Sequence, residues 1–164
     1  VVEAGHNLTW KIEMTFIPVN LEEAQEPKPA PAGRYPLQIT SCKEVKTGPS
    51  SKNPGSPQFL VSLGFADQPN TPNISHYISL PNEMDEPNSM NFKMLLLRRF
   101  LTLFSVPYDS AGIDTERMAM DMVGATADVD VDLSEPNDNG DVFNRIKVPK
   151  IRGESEAAPG RKRR

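Results

Sequence analysis

Between Arg34 and Val148 the apolar residues recur at every second position in five short segments, and at helical spacing in one long segment. A two-residue period puts one side of a segment in a core and the other in water, as in antiparallel strands with one wet face. In the first segment, Arg34 to Lys46, Tyr35, Leu37 and Ile39 alternate with Pro36, Gln38 and Thr40. The second, Gln58 to Ala66, aligns Phe59, Val61, Leu63 and Phe65. The third, Ser75 to Leu80, sets His76, Ile78 and Leu80 against Tyr77 and Ser79. In the fourth, Gly124 to Leu133, Ala125, Ala127, Val129, Val131 and Leu133 face inward and Asp128, Asp130 and Asp132 outward. The fifth, Val142 to Val148, places Val142, Ile146 and Val148 opposite Phe143, Arg145 and Lys147.

Breakers separate these segments. Thr47 to Pro57 holds three prolines, two glycines and three serines and reads as a long loop, and Asn139-Gly140 is a turn signal. Helical spacing runs from about Ser89 to Phe104, capped by Asn88 or Ser89 and stopped before Pro107. Only Asn91, Arg98 and Thr102 form a polar stripe on it, which predicts burial on more than one side. A short second helix is expected from Thr115 to Met122.

The resulting order, β-β-β-α-β-β, predicts a mainly β chain built as a five-stranded oligonucleotide/oligosaccharide-binding (OB) barrel. A different α+β roll is the alternative. The expected organisation is a flexible extension and linker over 1–32, the barrel over 33–152, and a disordered basic tail over 153–164. Met14 reads as a natural start, which makes 1–13 an upstream extension and the Asn7-Leu8-Thr9 sequon a chance match.

The bulk composition excludes several classes. One cysteine, Cys42, forms no internal disulfide, and two histidines seventy positions apart do not make a zinc site. No cofactor is expected. The longest apolar run, Met94 to Leu97, is too short to cross a bilayer, and the first residues lack the pattern of a secretory signal, so the expectation is a cytoplasmic protein. The net charge is −4, with −3 in residues 33–152, so any cationic surface has to be a local patch.

The run Pro31-Ala32-Gly33-Arg34-Tyr35 and the loop with Lys46-Thr47-Gly48 resemble the start of a phage-encoded OB-fold family of single-stranded-DNA-binding proteins. Met122 to Val129 (Met-Val-Gly-Ala-Thr-Ala-Asp-Val) and Asn144-Arg145-Ile146-Lys147 are similar to the same family, and the likeness covers about residues 14–150. It implies a role in phage DNA replication or recombination, in the host cytoplasm, with other proteins of those processes as partners. Many single-strand binders end in an acidic tail that docks partner enzymes, whereas this chain ends Arg161-Lys162-Arg163-Arg164, so recruitment of that kind is not implied.

The residues themselves point to binding rather than catalysis. Nucleophile and phosphate-loop motifs are missing, and Cys42 has no identifiable histidine partner. Asp128, Asp130 and Asp132 could in principle share a divalent ion, the basis of a metal-dependent phosphohydrolase reading, but alternating aspartates also simply solvate an outer strand face. Single strands are held by cations along the backbone and by aromatic faces on which bases stack. The candidates are Lys43, Lys46 and Lys52 at the first long loop, Tyr77 on the third strand, and Phe143, Arg145, Lys147, Lys150 and Arg152 on and after the fifth. Lys93, Arg98 and Arg99 lie on the helix, away from that face. The alternative is a protein-interaction or assembly module, and the apolar excess of the helix predicts a homo-oligomer.

Overall fold

The computed structural model describes residues 15–154. The expectations for the upstream extension, the sequon and the tail from 155 onward lie outside those residues. A short 3-10 turn at Leu21–Glu23 precedes seven elements: β1 (Gly33–Lys46), β2 (Pro57–Phe65), β3 (Ile74–Ser79), α1 (Pro87–Leu103), α2 (Thr115–Met122), β4 (Thr126–Leu133) and β5 (Asn144–Lys147). The five strands form one antiparallel sheet in the order β3-β2-β1-β4-β5. The sheet curls until β3 and β5 approach each other, which leaves a nearly closed OB-type barrel with one seam.

β1 makes the barrel possible because it pairs with two strands. Its first half, Gly33 to Gln38, lies against β4, and Leu37 to Lys46 lies against β2. The register slips by one residue between Ile39 and Ser41, so Thr40 is a bulge that bends the strand. The Thr40 hydroxyl donates to the Ser62 carbonyl across it (3.1 Å). A Cβ on Gly64 would sit 3.2 Å from the Thr40 methyl, so the bulge packs against a residue with no side chain.

The inward rows are those that alternation predicts. Leu37, Ile39, Phe59, Val61, Leu63, Phe65, Ile74, Ile78, Val129 and Val131 are buried, and Leu97, Phe100, Leu101 and Phe104 plug the barrel from α1. His76 belongs to this interior: its ring stacks on Phe100 with centroids 5.4 Å apart and planes 14° apart. Desolvation lowers its pKa from the usual 6.5. Cys42, on the same inner row, has its thiol pushed up to about 11 by burial, which keeps it protonated and inert.

Three expectations are corrected. α1 begins two residues earlier than its capping residues implied: Pro87 occupies the first turn, and Glu86 makes no side-chain cap. Proline suits the first helical turn because its φ is already helical and the N–H it lacks is one the helix would leave unpaired. Nor is α1 buried on several sides. It closes the barrel with one face, and Phe92, Met94 and Leu96 stay exposed. β5 is shorter than its pattern, because the Phe143 amide donates to the Ser134 hydroxyl (2.9 Å) rather than to a ladder carbonyl. α2 has the expected bounds, capped by the Asp114 carboxylate accepting from Arg117 N–H (3.2 Å).

The folded unit also takes in Ala30, which is buried. The Asn144 side chain clips it to β5, accepting from the Ala30 amide and donating to the Ala30 carbonyl, both at 2.8 Å. At the other end Glu154 pairs with Arg99 of α1 and accepts from the Ile151 amide. Among the described residues no helix is long and apolar enough to cross a membrane.

Two predictions follow from these details. α1 ends on Ser105 at φ 55°, with the Ser105 amide donating to Thr102 and the Val106 amide to Leu101. This left-handed position strains any residue with a Cβ. Ser105→Gly is expected to stabilise the fold by about 1 kcal/mol, or roughly 3 °C in Tm; an unchanged or lower Tm contradicts the strain. The second concerns His76, whose lowered pKa means that the unfolded chain takes up a proton the folded one refuses. Stability is then fully present above the unfolded value of 6.5 and falls as pH drops below it. Thermal melts from neutral to mildly acidic pH should show this slope in the wild type and lose it in His76→Leu. The depressed carboxylates of Asp85, Asp132 and Glu154 act only lower, below an ordinary value of 3.8 to 4.5.

Candidate nucleic-acid interface

Because β1, β2 and β3 are in register, their outward residues form rows across the sheet. Ser41, Ser62 and Ser75 make one; Lys43, Leu60 and Tyr77 the next; Val45, Gln58 and Ser79 the third. The middle row is the unusual one. Leu60 is a large apolar residue at an outward position, flanked by an exposed lysine and a tyrosine with 56% of its surface exposed. An open groove of about 580 Å³ runs beside it, lined by Val45, Lys46, Thr47, Gly48, Ser51, Gln58, Leu60 and Tyr77. A flat ring beside an apolar residue, with the Lys46 ammonium in the same lining, can take a planar group and an anion together.

The β1–β2 loop forms the groove's wall and is built on Thr47. The Thr47 hydroxyl donates to the Asn53 carbonyl (2.6 Å) and accepts from the Ser56 amide (2.9 Å). The Thr47 backbone bonds to Ser56 and Gly55, the latter at a φ of 79° that suits glycine. These bonds fix the loop's return arm and carry exposed Lys52 on its outer part. Lys43, Lys46 and Lys52 make no ion pair among the described residues.

The other cations stand in a different environment. Arg145 lies across from Asp132 and Lys147 across from Asp130 in the β4–β5 ladder, and Arg34 of β1 lies across from Asp130 on the other side. Arg34 bonds Asp130 at 3.0 Å and Lys147 approaches Asp132 at 3.7 Å. The Leu133 amide holds the Asp132 carboxyl below the usual range, helped by the Lys147 and Arg145 charges and opposed by partial desolvation. The outer face of β4 and β5 is therefore a lattice of alternating charge. Exposed Phe143 stands at its end, beside a loop that carries Glu135, Asp138 and Asp141. Asn137 folds this loop by accepting from the Asn139 and Asp141 amides (both 2.9 Å), with Gly140 in the turn at φ 82°.

The structure thus sets Lys46 and Tyr77 in the lining of one groove, with Lys43 next to Leu60 in the same outward row and Lys52 on the loop that walls the groove. Phe143, Arg145 and Lys147 share a second face, which adjoins the first across the β3–β5 seam. Lys150 follows β5, and Arg152 sits in the Ile151–Glu154 turn that is tied to α1. Leu60 and Gln58 were not singled out from the sequence, although Leu60 breaks the outward parity of β2 and could have been. Among the described residues no group of three or more His, Cys, Asp or Glu side chains is placed to hold a metal ion. No family model and no curated protein matches the chain.

Thr47→Val should loosen the loop without unfolding the barrel. Each lost hydrogen bond costs about 0.5–1.5 kcal/mol, and amide exchange at Ser56 should accelerate while that of β2 core positions holds. Unchanged Ser56 exchange would show that the hydroxyl does not fasten the loop.

Proposed function

We propose that the chain binds single-stranded DNA without strong sequence preference, in phage replication or recombination. The observation that carries this reading is the Lys43–Leu60–Tyr77 row opening onto a groove edged by Lys46. A base stacks on Tyr77 over Leu60, and phosphates meet Lys43, Lys46 and the loop's Lys52. Hydroxyls of Ser41, Ser62 and Ser75 continue the track as neutral hydrogen-bonding groups. The phage setting rests on the resemblance described above. Arg145 and Lys147 contribute less than their charge implies, because Asp132 and Asp130 already face them. This leaves Phe143 as a stacking position at the margin of the site.

The charge lattice on β4–β5 and the acidic loop beside it favour a second reading, a protein-binding module, and one experiment separates the two. Fluorescence titration with unstructured oligonucleotides at two salt concentrations is expected to show binding that weakens as salt rises, and weaker binding to duplex. Tyr77→Ala should cost about 1–3 kcal/mol with little change in salt slope. Lys43→Gln or Lys46→Gln should each remove roughly 0.7 from the slope for a single strand. Asp130→Asn with Asp132→Asn should leave affinity intact or raise it. Absence of binding at low salt, or equal affinity for duplex, overturns the reading in favour of the protein module.

A further inference from the structure

We infer that Gln58 reads the hydrogen-bonding edge of the base that lies against Tyr77, a contact open to any unpaired base. The inference rests on the single-strand reading above and adds to it the residue that senses the base. Gln58 lies on β2 in the outward row next to that of Leu60, opposite Val45 of β1 and Ser79 of β3. It is half-buried and lines the groove together with Leu60 and Tyr77. Leu60 pairs directly with Tyr77, so Gln58 and Tyr77 are diagonal neighbours across the β2–β3 ladder. Residues so placed lie about 7–8 Å apart, within reach of a long side chain and an aromatic ring. The amide therefore reaches the rim of a planar group stacked on the ring.

That amide is also uncommitted. Thr47 holds the loop, donating to Asn53 and accepting from Ser56, and Ser51 accepts from the Asn53 amide. Lys46 can only donate. The Gln58 side chain makes no hydrogen bond among the described residues. A primary amide sets an acceptor beside two donors. The pairing edge of every base also sets a donor beside an acceptor. In adenine and cytosine these are an amino N–H and a ring nitrogen; in thymine and guanine, a ring N–H and a carbonyl. Half a turn of the amide matches either order, so the contact discriminates little among bases and suits sequence tolerance. In a duplex the edge is already bonded to the partner base, so the contact belongs to single strands alone.

The test is fluorescence titration of the full chain with dT and dC oligonucleotides, an abasic oligonucleotide of the same length and a hairpin duplex. The wild type is expected to bind dT and dC alike and the abasic strand more weakly. Gln58→Leu keeps the bulk and removes the hydrogen bonds. It should weaken dT and dC by about threefold to tenfold, with abasic and duplex affinities unchanged. Gln58→Glu replaces the amide by an acceptor-only carboxylate, which suits the cytosine amino group and opposes the thymine carbonyls. The dC to dT affinity ratio should rise several-fold. General loss from the added charge affects both strands alike, so the ratio reads the edge contact even if the variant is less stable. Wild-type behaviour of both variants, or a Gln58→Leu loss as large on the abasic strand as on dT, overturns this inference and leaves the single-strand reading standing. Failure of the wild type to bind any of the strands overturns both.

Discussion

The bulge at Thr40 is the constraint on which the rest of the structure depends. β1 has to serve β4 with its first half and β2 with its second, and a straight strand cannot follow both. One extra residue bends it and also exchanges its faces. Before the bulge Leu37 and Ile39 point inward; after it Cys42 takes the inward row with Val61 and His76. Lys43 consequently faces out beside Leu60 and Tyr77. Had the alternation of Tyr35, Leu37 and Ile39 continued unbroken, Lys43 would have pointed into the core. The candidate groove is thus a product of the same residue that closes the barrel, and Gly64 leaves room for it.

Register also decides which cations are available. Along the sequence, Arg145 and Lys147 read as the densest basic run next to an aromatic residue, and Lys43 and Lys46 as ordinary flanks of a loop. In the sheet β5 lies against β4, whose outward residues are Asp130 and Asp132, whereas the neighbours of Lys43 on its outward row are Leu60 and Tyr77. The sparser cations are the freer ones. A net-negative barrel can therefore still present a local positive margin, because its carboxylates are concentrated on β4 and the loop after it.

Alternation made the five strands, their inward residues, α2 and the Asn139-Gly140 turn legible in the sequence, because each depends on neighbours within a few residues. What it could not supply was long-range. The Asn144 clip spans 114 positions and turns Ala30, within a stretch rich in proline and alanine, into part of the folded unit. The pairing of Arg145 with Asp132 needs a register that only the folded sheet fixes. The start of α1 was misread for a local reason: Asn88 and Ser89 are good caps, yet Pro87 already sits inside the first turn. For the site, Tyr77 and the loop lysines were visible as candidates, while Leu60 was hidden by being apolar, the type that pattern reading consigns to the core.

The apolar excess of α1 separates what the fold needs from what it does not. Plugging the barrel requires Leu97, Phe100, Leu101 and Phe104, which lie on one face and are buried. That requirement places no demand on Phe92, Met94 or Leu96, which turn toward water. Phe92 with Leu96 lies on one flank of the helix and Met94 on the other, so each is a small exposed patch of the kind that protein surfaces ordinarily carry. The two described ends are held apart from the groove as well. Ala30 is tied to β5 and Glu154 to α1, and neither tie involves β2 or β3. The two described ends are thus fastened at β5 and α1 rather than on the strands that carry Leu60 and Tyr77, and the Lys43–Leu60–Tyr77 row stays open.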